Sequence, residues 1–496
     1  MFNKLKEIIA KILNLSKRLE SYEKDSVVQA LPSLAYVNRA KKCIENKNYA
    51  EAEKILEEAM ELPQEDALVY KYLGLICERT GRLSDAIVAY KKSANVNNAD
   101  KDIWRLLGFA LVNCNQSDEA IEAFENANKI SPANTDVFAG WGMALMKLKR
   151  YSEAHEKFSE AVKLNRYNFM ALLMAAIMEV RLERYNDAEA KLNFLANVSP
   201  NETNNYEYAN LKYIKQDYDS SIHYAKKALE FNQNLLPAYL LLGKLYAIKG
   251  DKALSLSMYK TAEDKELRSP HLYYDWAITL QMFEEYEQSK ENFLKVLSFV
   301  PQEQDAKAGL ALLEAVYGNT EKAEEILAEV DKLEDSNYLL TKARAIVELN
   351  KSNFESAITL LKSIHERMFF DNTINFFLAK SYEGLDNKTK VKEYYDTATG
   401  FTVCSSNIYK NYAEFLIKID EPENARRKLL KALKADEMNY DILELLFNTG
   451  YTLAKKGDSE YNIKETIKIA EKLKSIDENN FKYSNECEEL RNMVNG

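Results

Sequence analysis

Apolar side chains return at helical spacing along this chain, and the arrangement repeats every 34 residues. Within one unit the apolar positions form two clusters, each with steps of three and four residues, which is the spacing of one face of an α-helix. In the unit 101–134 the residues that carry the pattern are Trp104, Leu107, Gly108, Ala120, Phe124, Ala127 and Pro132. Each unit is therefore predicted to form two helices, the second ended by a proline or by polar residues.

Twelve such units lie end to end from Ser33 to Asn439, and all have 34 residues except Phe169–Asn201, which has 33. Position 20 is Ala in eight units and Ser in three, and only Val391 departs. Position 8 is Gly or Ala throughout. These residues are Ala40, Gly74, Gly108, Gly142, Ala176, Ala209, Gly243, Ala277, Ala311, Ala345, Ala379 and Ala413. Small side chains at both positions let two antiparallel helices approach closely, while larger residues at positions 4, 7, 11 and 24 fill the surrounding space.

The spacing W-x2-L-G, then A-x3-F-x2-A, then P, resembles the tetratricopeptide repeat. The resemblance implies an all-α fold, an α-solenoid in which about 12–13 helix-turn-helix repeats form a right-handed superhelix. We expect twelve contiguous repeats over 33–439, a degenerate thirteenth repeat over 440–480 and a capping helix over 481–496. Arrays of this family bind peptide or helical segments of other proteins in a concave groove.

The segment 1–31 precedes the repeats and has the pattern of a basic amphipathic helix. Lys and Arg side chains occupy one face, and the opposite face is apolar. Residues of that apolar face are Phe2, Leu5, Ile8, Ile9, Ile12 and Leu13. Three interpretations remain open: the helix caps the first repeat, residues 1–19 lie on an anionic membrane surface, or the helix self-associates as a coiled coil and makes the protein a homo-oligomer.

In the family, positions 2, 5, 9, 12 and 13 of the first helix face the groove. In repeats three to five these positions are apolar, and five of the twelve methionines fall between Met143 and Met178. The predicted groove residues here are Phe109, Val112, Met143, Met146, Met170, Leu173, Ile177 and Val180. Because thioether side chains adapt to varied apolar surfaces, we expect an apolar or amphipathic segment of a partner to bind here. The alternative is that these methionines belong to the core.

The groove positions of repeats six to eight are polar and aromatic, and they are predicted either to bind a partner or to be solvated. They are Tyr206, Asn210, Tyr213, Lys244, His271, Tyr274 and Gln281. Some relatives hold a terminal carboxylate with a cluster of Lys, Arg and Asn residues. From the tenth repeat onward the corresponding residues are Lys342, Ile346, Phe377, Asn407 and Asn411, so the cationic cluster of that binding mode is missing.

Charge and motifs narrow the class of function. The formal net charge of −10 disfavours nucleic acid as a general partner. No nucleotide-binding, hydrolase or zinc-protease motif occurs, and the four histidines are dispersed. We therefore expect no catalysis, no cofactor and no metal site. The longest apolar run has ten residues, about half of what a membrane-spanning helix needs.

Together these features predict a cytoplasmic scaffold or adaptor that binds protein partners whose identity the sequence does not reveal. The alternative is a peripheral membrane-associated assembly or chaperone-like factor, tethered by the N-terminal helix.

Overall fold

A computed structural model describes residues 33–330, 338–365, 371–400, 404–477 and 482–495. Across these ranges the chain forms 27 α-helices and no strand. The segment 1–31, with its predicted amphipathic helix, lies outside the described residues. Among the residues described, no helix is long and apolar enough to cross a bilayer.

The helices are numbered in chain order. The first fourteen are α1 (Ser33–Glu45), α2 (Tyr49–Met60), α3 (Ala67–Arg79), α4 (Leu83–Val96), α5 (Lys101–Asn113), α6 (Ser117–Ile130), α7 (Thr135–Lys147), α8 (Tyr151–Leu164), α9 (Phe169–Arg181), α10 (Tyr185–Val198), α11 (Glu202–Ile214), α12 (Tyr218–Phe231), α13 (Leu236–Ile248) and α14 (Lys252–Asp264). The others are α15 (Pro270–Met282), α16 (Tyr286–Phe299), α17 (Gln304–Val316), α18 (Thr320–Glu329), α19 (Tyr338–Asn350), α20 (Phe354–His365), α21 (Asn372–Gly384), α22 (Lys388–Ala398), α23 (Ser406–Lys418), α24 (Pro422–Ala435), α25 (Tyr440–Lys455), α26 (Glu460–Ile476) and α27 (Ser484–Asn495).

Odd-numbered helices from α1 to α23 are the first helices of successive repeats, and even-numbered helices are the second. A polar residue just before several first helices caps the exposed N–H groups of the first turn. Asp66 accepts from the N–H of Leu68 at 2.9 Å, and Asp100 accepts from the N–H of Asp102 at 2.8 Å. Such a cap stabilises a helix by about 1 kcal/mol. The predicted all-α solenoid of helix-turn-helix repeats is confirmed.

The turn between the two helices of a repeat has the same backbone at position 15 in all twelve repeats. This residue has a positive φ of 52° to 81°, although it is glycine only at Gly81, Gly250 and Gly318. The N–H of the next residue then bonds back to the carbonyl five residues earlier, as from Gln116 to Leu111 at 2.9 Å. That bond is the closing hydrogen bond of a Schellman turn, which ends the first helix.

The contact between the two helices of a repeat is centred on positions 8 and 24. A Cβ placed on Gly108 would lie 2.7 Å from the ring of Phe124, and one on Gly142 would lie 2.8 Å from the ring of Phe158. Both rings are fully buried. Glycine at position 8 therefore lets an aromatic ring at position 24 pack directly against the first helix.

The described chain divides into two compact units, one ending at Gln216 and the other beginning at Asp217. In the second unit α18 has only ten residues, and α17 packs against both α16 and α19. Towards its end, α25 and α26 have 16 and 17 residues, longer than the helices before them. Leu490 of α27 joins Phe447 and Leu473 in their core. We interpret α25 and α26 as the degenerate thirteenth repeat and α27 as its cap.

Candidate functional site

The second unit contains a cavity of about 730 Å³ on the side formed by its first helices. The helices α17, α19, α21 and α23 supply most of its wall. The end of α15, the turn after it and the start of α16 supply Gln281, Glu284 and Tyr286. Many lining residues occupy positions 2, 5, 9, 12 and 13 of their repeats, which are the groove positions of the family. A volume of this size is typical of sites that bind ligands.

One part of the wall is aromatic. The rings of Phe376 and Phe377 are 5.0 Å apart, and those of Tyr286 and Tyr317 are 6.0 Å apart in an edge-to-face arrangement. Phe354 lies against Gly384, where a Cβ would come within 2.3 Å of its ring. Leucine and valine side chains of α17 complete this apolar surface. Bulky apolar groups of a ligand would lose their contact with water here.

Another part of the wall is cationic. Lys380 of α21 and Lys418 of α23 both face the carboxylate of Glu383, and each Nζ lies 3.5 Å from one of its two oxygens. A distance of 3.5 Å is long for a hydrogen bond between ions. Each ammonium group has three N–H donors, so both lysines keep donors for a ligand.

A buried ion pair lies behind this wall. Lys342 Nζ is 2.6 Å from Asp371 Oδ2 and donates to the Tyr338 hydroxyl at 3.1 Å. Burial lowers the pKa of Lys342 to about 7 and raises the pKa of Asp371 to about 6, because each charged form loses its hydration. Asp371 also caps α21 through Thr373. The pair joins α19 to the start of α21, and the positive charge of Lys342 is matched before any ligand binds.

One side of the cavity is formed by contacts between residues more than 120 positions apart. The side chains of Ser405 and Asn407 hydrogen bond to the carboxyl group of Glu284. Asn411 in turn donates to the backbone and side-chain oxygens of Asn407, both at 2.9 Å. Burial raises the pKa of Glu284, and the two hydrogen bonds oppose that rise. The turn after α15 is thereby held against the start of α23.

Two further polar groups face the same space. The Nε2 of Gln281 is buried and has no hydrogen-bond partner in the described part of the chain. Burial and the nearby Glu284 raise the pKa of Tyr286, so its hydroxyl stays protonated at neutral pH. The site can therefore bind a ligand through apolar contacts and through donated hydrogen bonds.

Comparison with known proteins agrees with this architecture. A profile of the Psidin N-terminal TPR repeats region matches residues 41–198. The crystal structure of the APC/C hetero-tetramer Cut9–Hcn1 superposes with a TM-score of 0.55 at 14% identity, covering 93% of this chain and 97% of that one. The chain has the fold of a tetratricopeptide-repeat solenoid.

The BBSome complex member BBS4 of Bos taurus is 22% identical to this solenoid over 242 residues. The match covers 48% of the solenoid and 46% of BBS4, so it spans less than half the length of that curated relative.

The predicted groove residues of the first unit differ in exposure. Met170 is 63% exposed, whereas Val112 and Leu173 are only 1% and 4% exposed. The remaining five, Phe109, Met143, Met146, Ile177 and Val180, are half-buried. Val112 belongs to the same core cluster as Ala144 of α7, so the next first helix covers it. Val112 and Leu173 therefore present no surface to a partner, and we leave them out of the binding surface proposed below.

The polar groove residues also lie in different surroundings. Tyr206, Asn210 and Tyr213 are half-buried on α11 of the first unit. In the second unit, Lys244 pairs with Asp275 at 2.7 Å, and the ring of Tyr274 meets that of Phe293 edge-on at 6.0 Å. Neither Lys244 nor Tyr274 lines the cavity, whereas Gln281 does.

Sequence reasoning did not single out the lysine and aromatic residues of the cavity as a site. Lys342, Phe377, Asn407 and Asn411 occupy positions at which some relatives hold a terminal carboxylate, but their residue types do not match that site. The same groove positions, applied to repeats nine to twelve, would have identified much of the cavity wall. Lys380 and Lys418, for example, occupy positions 9 and 13 of their repeats.

Proposed function

We propose that this solenoid is a scaffold that binds a peptide segment of a partner protein in the cavity of its second unit. The observation that carries the proposal is the cavity of about 730 Å³, with an aromatic wall beside lysine and amide side chains. Solenoids of this family are typical protein-interaction scaffolds, and a concave site that is partly apolar and partly polar suits a peptide. We also propose that the protein is not an enzyme and that it acts in the cytoplasm.

A second docking surface is proposed for the first unit, around the exposed Met170 and the half-buried Met143 and Met146. These side chains suit an apolar segment, because thioethers pack adaptably. The BBSome relative is by name a member of a complex. By analogy, the present chain would act as one member of an assembly, with a partner at each unit.

Binding at the cavity can be tested by affinity purification of the full chain. Asn411→Arg places a longer, charged side chain in the cavity. Asn197→Arg is a matched control, because Asn197 makes the same pair of bonds to Asn193 on α10. We expect the proteins captured by the wild type to be retained by Asn197→Arg and lost by Asn411→Arg. Equal capture by both variants, with unchanged circular dichroism, would exclude the cavity as the binding site.

The membrane-associated alternative stays a prediction that rests on residues 1–19. Co-sedimentation of the full chain with phosphatidylserine vesicles, compared with a chain lacking those residues, separates it from the scaffold function. Loss of co-sedimentation on truncation would support the alternative, and no co-sedimentation of the full chain would reject it.

A further inference from the structure

Some polar groups of the cavity already have hydrogen-bond or ionic partners, whereas others can still bind a ligand. The two glutamate side chains of the cavity already have partners: Glu284 accepts from Ser405 and Asn407, and Glu383 faces two lysines. Several donors remain available, because Gln281 Nε2 has no partner among the described residues and the two lysines make only long contacts. The donors of the two lysines are therefore only partly used by the acceptors that the structure describes.

The charges in the cavity are also unbalanced. Lys342 is matched by Asp371 at 2.6 Å, and Glu284 lies beside the neutral side chains of Ser405 and Asn407. Lys380 and Lys418 share the single carboxylate of Glu383, so two positive charges face one negative charge at this point. A ligand that brings one carboxylate would balance the site and supply a further acceptor.

The volume limits the form of the ligand. A helix about 10–12 Å wide occupies on the order of 500 Å³ per turn, so a cavity of about 730 Å³ holds less than two turns. A short extended segment fits better. The amide oxygens of Asn350 and Asn411 can accept hydrogen bonds and Gln281 Nε2 can donate one, which suits the N–H and C=O groups of such a segment.

Resting on the proposed function, we propose that the cavity binds a short extended peptide that carries an Asp or Glu beside bulky apolar residues. The carboxylate binds between Lys380 and Lys418 and competes with Glu383 for their donors. The apolar side chains lie against Phe354, Phe376 and Phe377. Specificity comes from the combination of an acidic residue and bulky apolar residues in one peptide. A peptide with only one of these would contact either the lysines or the phenylalanines, but not both.

The test selects dodecapeptides from a random phage library on the immobilised full chain and measures them, labelled with fluorescein, by anisotropy. Lys380→Gln/Lys418→Gln removes the two ammonium groups, which are 38% and 69% exposed. Lys390→Gln/Lys468→Gln is the matched control: both lysines form i,i+3 pairs in the same unit, are 42% and 66% exposed, and lie outside the cavity wall.

We expect the selected sequences to share an acidic residue next to Phe, Leu or Trp. Kd should rise at least tenfold in Lys380→Gln/Lys418→Gln and change less than twofold in the control pair. Replacing the acidic residue of the peptide by its amide should cause the same loss in the wild type and little further loss in the cavity variant.

Two results would overturn the proposal, and they have different consequences. Peptides whose binding Asn411→Arg abolishes but the lysine variant leaves unchanged would refute the carboxylate and keep the proposed function. Failure to select any peptide would refute both.

Discussion

Two kinds of glycine set the geometry of a repeat. Gly142 at position 8 has no room for a side chain, because the ring of Phe158 lies over it. Gly81 at position 15 has open space around it, but its φ of +80° suits a residue without a Cβ. The same substitution by alanine should therefore be unfavourable at both sites for different reasons.

At position 8 the strain is steric, so a smaller partner should relieve it. We expect Gly142→Ala to lower the free energy of unfolding by about 1–3 kcal/mol through overpacking. Phe158→Leu alone should also destabilise, because it leaves a void. The double variant should lose less unfolding free energy than the sum of the two single losses, since leucine makes room for the new methyl group. Thermal unfolding followed by circular dichroism measures this, and additive losses would contradict the proposed contact.

At position 15 the strain lies in the backbone, so no partner can relieve it. Gly81→Ala should destabilise by about 1 kcal/mol, and Gly81→Asn by less, because asparagine tolerates the left-handed region. The melting temperatures of the two variants provide the comparison. Equal melting temperatures for wild type and Gly81→Ala would show that the turn relaxes at no cost.

Among the helices, α17 is held by an ionic contact as well as by its apolar faces. Glu314 is buried and accepts hydrogen bonds from Lys290 of α16, Lys322 of α18 and Asn319, each at 2.8 Å. Burial alone would raise the pKa of Glu314, but these three hydrogen bonds outweigh it and lower the pKa to about 2. One carboxylate thus links three consecutive helices.

This contact predicts a pH dependence of stability. A carboxyl group whose pKa is lowered on folding stabilises the fold above its unfolded pKa of about 4.5, and the contribution disappears as the pH falls towards 2. Glu314→Gln should therefore lower the free energy of unfolding by about 3 kcal/mol at pH 7 and by about 1 kcal/mol at pH 3. Melting curves of both proteins at the two pH values test this. A difference in melting temperature that is the same at both would contradict the role of the carboxylate.

At the scale of the whole molecule, the repeats could be predicted from the sequence because the contact that defines each repeat joins residues close together in the chain. Positions 8 and 24 lie 16 residues apart in one repeat, and each glycine at position 8 faces an aromatic residue at position 24. The turn at position 15 left no comparable signal, since Lys149 and Glu183 adopt the left-handed backbone as Gly81 does. Its regularity comes from the Schellman hydrogen bond rather than from residue type.

The cavity could not be predicted in the same way. It depends on Glu284 meeting Ser405 and Asn407, and contacts between residues so far apart leave no periodic pattern. The burial of Val112 and Leu173 could not be predicted from the sequence for a related reason. A groove position is exposed only where the neighbouring first helix leaves it uncovered, and α7 packs over Val112.

The central claim is that a partner protein occupies the cavity of the second unit. The most direct test replaces single residues of the full chain by the photo-crosslinking amino acid benzoylphenylalanine in living cells. Positions 376 and 380 lie in the wall of the cavity, and position 390 lies on α22 outside it. Crosslinked adducts of one partner from positions 376 and 380, and none from position 390, are the predicted result. Adducts from position 390 alone, or equal adducts from all three positions, would contradict the claim.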